Sequence, residues 1–216
     1  LNAIKANKLM EGCLSGEADG KTPHFGFSTE QLAALRAFTS TDRRSLHRHD
    51  PAEFARRQIR VLNCNACHGE LEGFSKLDTI GLKLKPEWLG KLFAGSLNQK
   101  PRPWLKHRMP AFPARARELA NGLALGFGHP AVTPAEKGPV DANLAKIGRD
   151  LVGVDGGFSC VACHGVKNHP PLQVFEAQGV NFARVNERMR PEYLMRWMLD
   201  PLRVDSQTRM PDYFDE

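Results

Sequence analysis

The chain has 216 residues, 41% hydrophobic and 25% charged, with a formal net charge of +6. That composition is globular and excludes wholesale disorder, and without a run of 18 apolar residues no segment reads as a membrane span. The positive excess is spread out, with no basic stripe interleaved with aromatics, so nucleic acid is not an expected partner.

Ser28 to Phe38 is the first predicted helix, with Ser28 as its N-cap and Leu32, Leu35 and Phe38 at helical spacing. Pro51 to Val61 is the second, begun by Asp50 as cap and Pro in the first turn. A short helix should follow Pro86 in Lys85-Pro86-Glu87-Trp88-Leu89, since Pro suits the first helical position. Ala114 to Leu125 reads as a further helix, and Gly126, Gly128, Pro130 and Pro134 as a linker. Beyond the linker come Ala142 to Leu151, capped by Asp141, and Pro191 to Leu199. The i,i+3 spacing of Met195 and Met198 on the last of these predicts core packing.

Four of the five cysteines stand in two pentapeptides, Cys64-Asn65-Ala66-Cys67-His68 and Cys160-Val161-Ala162-Cys163-His164, each followed by Gly. C-x-x-C-H is the pattern of covalent c-type haem attachment. Two thiols, two residues apart, bracket the haem edge and form thioethers with its vinyl groups, and the adjacent His meets the iron. Three other readings fit less well. Disulfides need no His after each pair. A zinc ribbon needs its Cys pairs 15–20 residues apart, whereas Cys160 lies 96 residues after Cys64. A thioredoxin-like pair needs a βαβ context.

A six-coordinate iron needs a second axial ligand. Met109 and Met210 share a setting, Arg108-Met109-Pro110-Ala111-Phe112 and Arg209-Met210-Pro211-Asp212-Tyr213-Phe214, and follow the first cysteines by 45 and 50 residues. Pro holds the residue before it out of the helical region, so an extended loop can present the sulfur. His107 and His169 are the rival ligands. His24, His47, His49 and His129 read as solvent or structural histidines, and Met10 and Met189 have no assigned role.

The repetition reaches further. Lys85-Pro86-Glu87-Trp88-Leu89 returns as Arg190-Pro191-Glu192-Tyr193-Leu194, and Pro101-Arg102 as Pro201-Leu202-Arg203. The chain therefore contains two related modules. An insertion between Ser96 and Lys106 accounts for the longer Pro-to-Met distance in the first, 23 residues against 19.

From about Asp50 to Phe214 these motifs resemble two tandem class I cytochrome c modules, similar to those of large multidomain bacterial periplasmic cytochromes. The resemblance implies a mainly α fold wrapped around two covalent haem c groups. Residues 1–46 would be an N-terminal helical segment, 47–133 the first haem domain and 134–216 the second. Cys64, Cys67, Cys160 and Cys163 would attach the haems, and His68, Met109, His164 and Met210 would ligate the irons. Phe112, Phe214, Trp88 and Trp104 would pack near the haems, and Arg102, Arg108, Arg203 or Arg209 would pair with the propionates.

With every coordination position filled, the expected function is single-electron transfer between redox protein partners or to a fused redox domain, with no catalytic residue in this chain. The competing expectations are an electron-entry module of a larger oxidoreductase, a dihaem peroxidase, and a thiosulfate-oxidising dihaem enzyme. The periplasm follows from the family alone, because no secretory pattern precedes Leu1. The second module lacks the closing helix its family implies, whereas Ser28 to Phe38 looks like one, so a fragment of a longer multihaem chain is expected. Cys13 has no nearby His and reads either as a disulfide partner for another chain segment or as a buried thiol.

Overall fold

A computed structural model describes residues 20, 23–40, 48–69, 71, 74–135, 138–174 and 178–214. Cys13, Met10 and His47 lie outside them. The described residues are mainly helical, with β-pairing confined to isolated bridges. The chain divides into two compact units, Leu1–His49 and Asp50–Glu216.

The first unit contributes α1 (Thr29–Ser40). A reciprocal capping box starts it. Ser28 Oγ accepts from the Gln31 N–H at 3.3 Å, and Gln31 Oε1 accepts from the Ser28 N–H at 2.8 Å. None of its residues is buried.

The second unit begins with α2 (Pro51–Val61), where Asp50 accepts from the Glu53 N–H and Pro51 occupies the first turn, as the sequence predicts. There follow α3 (Asn65–His68), α4 (Ile80–Lys83) and α5 (Pro86–Ala94), the last ended by Gly95 in the left-handed conformation. The helix expected over Ala114 to Leu125 is a 3₁₀ turn, Pro113–Arg115, running into α6 (Ala116–Gly126). Then come α7 (Ala142–Val152), α8 (Val185–Arg188), α9 (Pro191–Leu199) and α10 (Pro201–Val204).

The core joins α2, α5 and α6 through Ala55, Trp88, Leu89, Phe93, Leu119, Ala120 and Leu123. Gly122 sits at the closest approach of α2 to α6, where a Cβ would overlap the Pro51 carbonyl and the Ala55 methyl. The linker is tied down: Thr133 donates its N–H and hydroxyl to Glu87 at 2.7 and 2.8 Å. The same bonds hold the Glu87 carboxyl below its ordinary value, against the opposing effect of burial.

Two matched segments meet across this core. Leu84 and Met189 form an antiparallel bridge and are both buried. The Lys85 N–H donates to the Arg188 carbonyl at 2.9 Å, and the Arg190 N–H to the Lys83 carbonyl at 3.0 Å. The residues so exchanged are the ones that precede the two Pro-Glu-aromatic-Leu repeats.

The second half is more open. In α7, Asp141 caps the Asn143 and Leu144 N–H groups, yet Leu144, Ile147 and Leu151 are exposed. Met195 and Met198 are exposed too, which corrects their expected core packing. The buried side of α9 is instead the Tyr193, Leu194 and Trp197 side, because that side meets the Leu84–Met189 bridge.

Two glycine substitutions should move stability in opposite directions in urea unfolding. Gly122→Ala should lose about 1–3 kcal/mol by forcing α2 and α6 apart. Gly148→Ala, in the interior of α7 with open space around its Cβ, should gain up to about 1 kcal/mol of helix propensity.

Candidate functional site

Each Cys-x-x-Cys-His motif is entered through a residue in the left-handed backbone region, Asn63 (φ 52°) before Cys64 and Ser159 (φ 55°) before Cys160. Non-glycine residues are uncommon there, and these two occupy the same place in the two motifs. The turn swings the chain into α3 in the first motif and into a 3₁₀ turn, Cys160–Ala162, in the second. In both, the His N–H donates to the carbonyl of the first Cys, at 2.9 and 3.0 Å. Cys64, Cys67, Cys160 and Cys163 are all free thiols. Burial pushes the Cys64 and Cys160 thiols above their ordinary pKa, so they rest protonated.

The imidazoles are held alike. His68 Nδ1 lies 2.7 Å from the Ser75 carbonyl and His164 Nδ1 lies 2.8 Å from the Val180 carbonyl. A carbonyl only accepts, so each bond puts the proton on Nδ1 and leaves the Nε2 lone pair as donor. This is how a metal-ligating His is oriented by its second partner. Around His164 the fit is tight. Phe182 stacks on the ring with centroids 4.6 Å apart, and Gly179 gives the ring room that a Cβ would take. Burial holds His164 below the ordinary imidazole pKa, against the opposing Val180 bond, and the Arg188 charge adds to the lowering.

Of the predicted distal ligands, Met109 is half-buried and packs against the α2–α5–α6 core. In the same half, the Phe74 ring makes edge contacts with both His68 (6.1 Å) and His107 (5.4 Å), so the loop that carries Met109 reaches the His68 side. The open cleft beside His68, about 820 Å³, is walled by Asn65, Leu77 and Asp78, and Met109 is not on its wall. Met210 is half-buried, and its Sδ accepts the Trp197 indole N–H at 2.9 Å. A thioether sulfur has two lone pairs, so one stays available to a metal. Phe158, two residues before Cys160, packs on Tyr213 and Phe214, three and four residues beyond Met210. Burial raises the Tyr213 hydroxyl pKa, and both Cys160 and Cys163 are close enough to add to it. The second Met loop and the second Cys motif therefore lie side by side.

The donor set suits a covalent haem: paired free thiols, an imidazole with Nε2 free, and a thioether. Two buried cationic atoms, Arg188 Nε and Arg190 Nη2, have no hydrogen-bond partner among the described residues, and haem carries carboxylates to which such atoms could donate. The arginines expected to meet propionates, Arg102, Arg108, Arg203 and Arg209, are exposed, as are Trp104 and Phe214, whereas Trp88 is buried in the core. Ser75, Val180, Trp197, Lys83 and Arg188 escaped sequence reading. Only Lys83 and Arg188 had a signal there, since the repeat of Lys85 and Arg190 extends two residues upstream to include them.

Compared with models of known families, with curated proteins and with solved structures, the chain matches none. Among the described residues no group of three or more His, Cys, Asp and Glu converges as a metal site, and no helix is long and apolar enough to cross a membrane.

Gly179→Ala should unseat the His164 ring and break its bond to Val180. The expected cost is about 1–3 kcal/mol in urea unfolding, and the His164 ring ¹⁵N resonances should move while those of His68 stay in place.

Proposed function

We propose that the chain is a dihaem c-type cytochrome that relays single electrons between redox partners in the periplasm or an equivalent space outside the cytoplasm. One haem would be attached at Cys64 and Cys67 with His68 and Met109 as iron ligands. The other would be attached at Cys160 and Cys163 with His164 and Met210. Residues 47–133 and 134–216 would be its two haem modules.

The single observation that carries this reading is the matched tie of His68 and His164 to backbone carbonyls, immediately after paired free thiols. A tetrahedral zinc site needs three or four converging Cys, His or acidic ligands, and the described residues offer no such group. A haem iron draws four donors from the porphyrin, so one His and one Met from the chain would complete it.

When bound, haem supplies an iron that cycles between ferric and ferrous. The chain's residues do the remainder. The thiols hold the group at the Cys motif, the carbonyls of Ser75 and Val180 orient the imidazoles, and the Trp197 N–H holds the Met210 sulfur. Were His and Met both to ligate each iron, no position would be open to a substrate, and the chemistry left would be electron transfer. Ring contacts of Phe158 with Tyr213 and Phe214 hold the Met210 loop beside the Cys160 motif.

The purified protein should carry two covalent haems by mass, and its dithionite-reduced spectrum should show sharp c-type bands unaffected by carbon monoxide. Met210→Ala should let carbon monoxide shift about half of the signal, since one iron of two is opened. A colourless protein overturns the reading. A wild-type protein whose spectrum half-shifts under carbon monoxide favours a peroxidase-type site.

A further inference from the structure

Cations are concentrated where the two matched segments cross. Lys83 Nζ stands 5.6 Å from the Tyr193 ring centroid and 5.1 Å from that of Trp197. In return, Arg188 Cζ stands 6.0 Å from the Trp88 ring centroid. The two contacts are reciprocal. Lys83 and Arg188 precede the repeated motif by the same two residues, Trp88 and Tyr193 are its matching aromatics, and each cation reaches the other segment's ring. Both side chains are half-buried. Burial, with Arg188 and then Arg102 adding, pulls the Lys83 ammonium down to about 8, with Asp205 opposing. Burial and Arg102 pull Arg188 down to about 10. Arg188 Nε is buried with no partner among the described residues.

Aromatic faces compensate a buried cation only in part. Like charges this close repel, and buried cations persist when they are paired. The cluster also borders one particular site. Trp197, under Lys83, donates its indole N–H to Met210 Sδ at 2.9 Å.

We infer that Lys83 and Arg188, with Arg102 at the rim, form the receptor for the carboxylates of the group held at Cys160, Cys163 and His164. The second site is then incomplete without the first half, because Lys83 and Arg102 come from the first half and Arg188 from the second. This rests on the haem reading above and deepens it. The two halves are not independent beads on a string, since one supplies counter-charge that sets the other's reduction potential. A cation beside a propionate offsets the negative charge that favours ferric iron, so losing the cation lowers the potential.

The test uses the dihaem protein carrying Arg188→Gln or Lys83→Met, with haem content checked by mass, urea unfolding midpoints, and spectroelectrochemical titration. Met210→His, which lowers the potential of the second haem, identifies which of the two potentials belongs to it. Each charge variant is expected to keep two haems, unfold at lower urea, and shift the second haem's potential downward by more than the first's. Should Arg188→Gln fail to fold, Lys83→Met decides alone. A Lys83→Met protein that unfolds at higher urea has been relieved of unpaired repulsion, and that result overturns the inference. So does a second-haem potential that stays in place. A protein without haem overturns this inference together with the function proposed above, whereas two haems with a stabilised Lys83→Met overturn this inference alone.

Discussion

The antiparallel bridge between Leu84 and Met189 is the constraint on which the unit from Asp50 onward depends. Two backbone hydrogen bonds and two buried side chains lock the segment before α5 to the segment before α9. Everything at the junction follows from that register. The bridge carries Tyr193 and Trp197 onto the core of α2, α5 and α6 and turns the exposed methionines of α9 away from it. The same register places Lys83 and Arg188 across from each other's aromatic rings. A shift by one residue would turn the buried Leu84 and Met189 side chains out of the core.

Where an iron would be ligated, the protein's contribution is orientation. Short motifs supply the thiols and the imidazole, but what those groups can do depends on carbonyls from segments further along, Ser75 for His68 and Val180 for His164. In the second half that segment is itself strapped down, with the Gly179 N–H on the Cys163 carbonyl and the Phe182 N–H on the Gly165 carbonyl. Burial raises the Cys64 and Cys160 thiols and lowers His164, because a half-buried group is cheaper to keep neutral than charged.

Much of the helical plan was legible in the sequence because its signals are local. Asp50-Pro51, Asp141, Lys85-Pro86 and Arg190-Pro191 begin helices by satisfying or omitting first-turn N–H groups, and Pro51–Val61 and Pro191–Leu199 run as expected. Met195 and Met198 were misread because i,i+3 spacing shows that two residues share a face but not which face meets a neighbour. Arg102, Arg108, Arg203 and Arg209, expected to meet carboxylates, are all exposed. Arg190 is buried and Lys83 and Arg188 are half-buried, because burial is decided by packing between segments a hundred residues apart.

The sequence by itself determined the chemistry on offer: two Cys-x-x-Cys-His motifs, two Arg-Met-Pro loops, a repeated Pro-Glu-aromatic-Leu segment and the caps that start most helices. Each depends on covalent structure or on contacts within one turn of chain, and those survive without a fold. The tertiary structure alone decided the imidazole tautomers, the Trp197 bond to Met210, the close approach at Gly122 and the crossing of Lys83 with Arg188. Each of these needs groups distant in sequence to meet at a few ångströms, and only the packed core and its bridge set those distances.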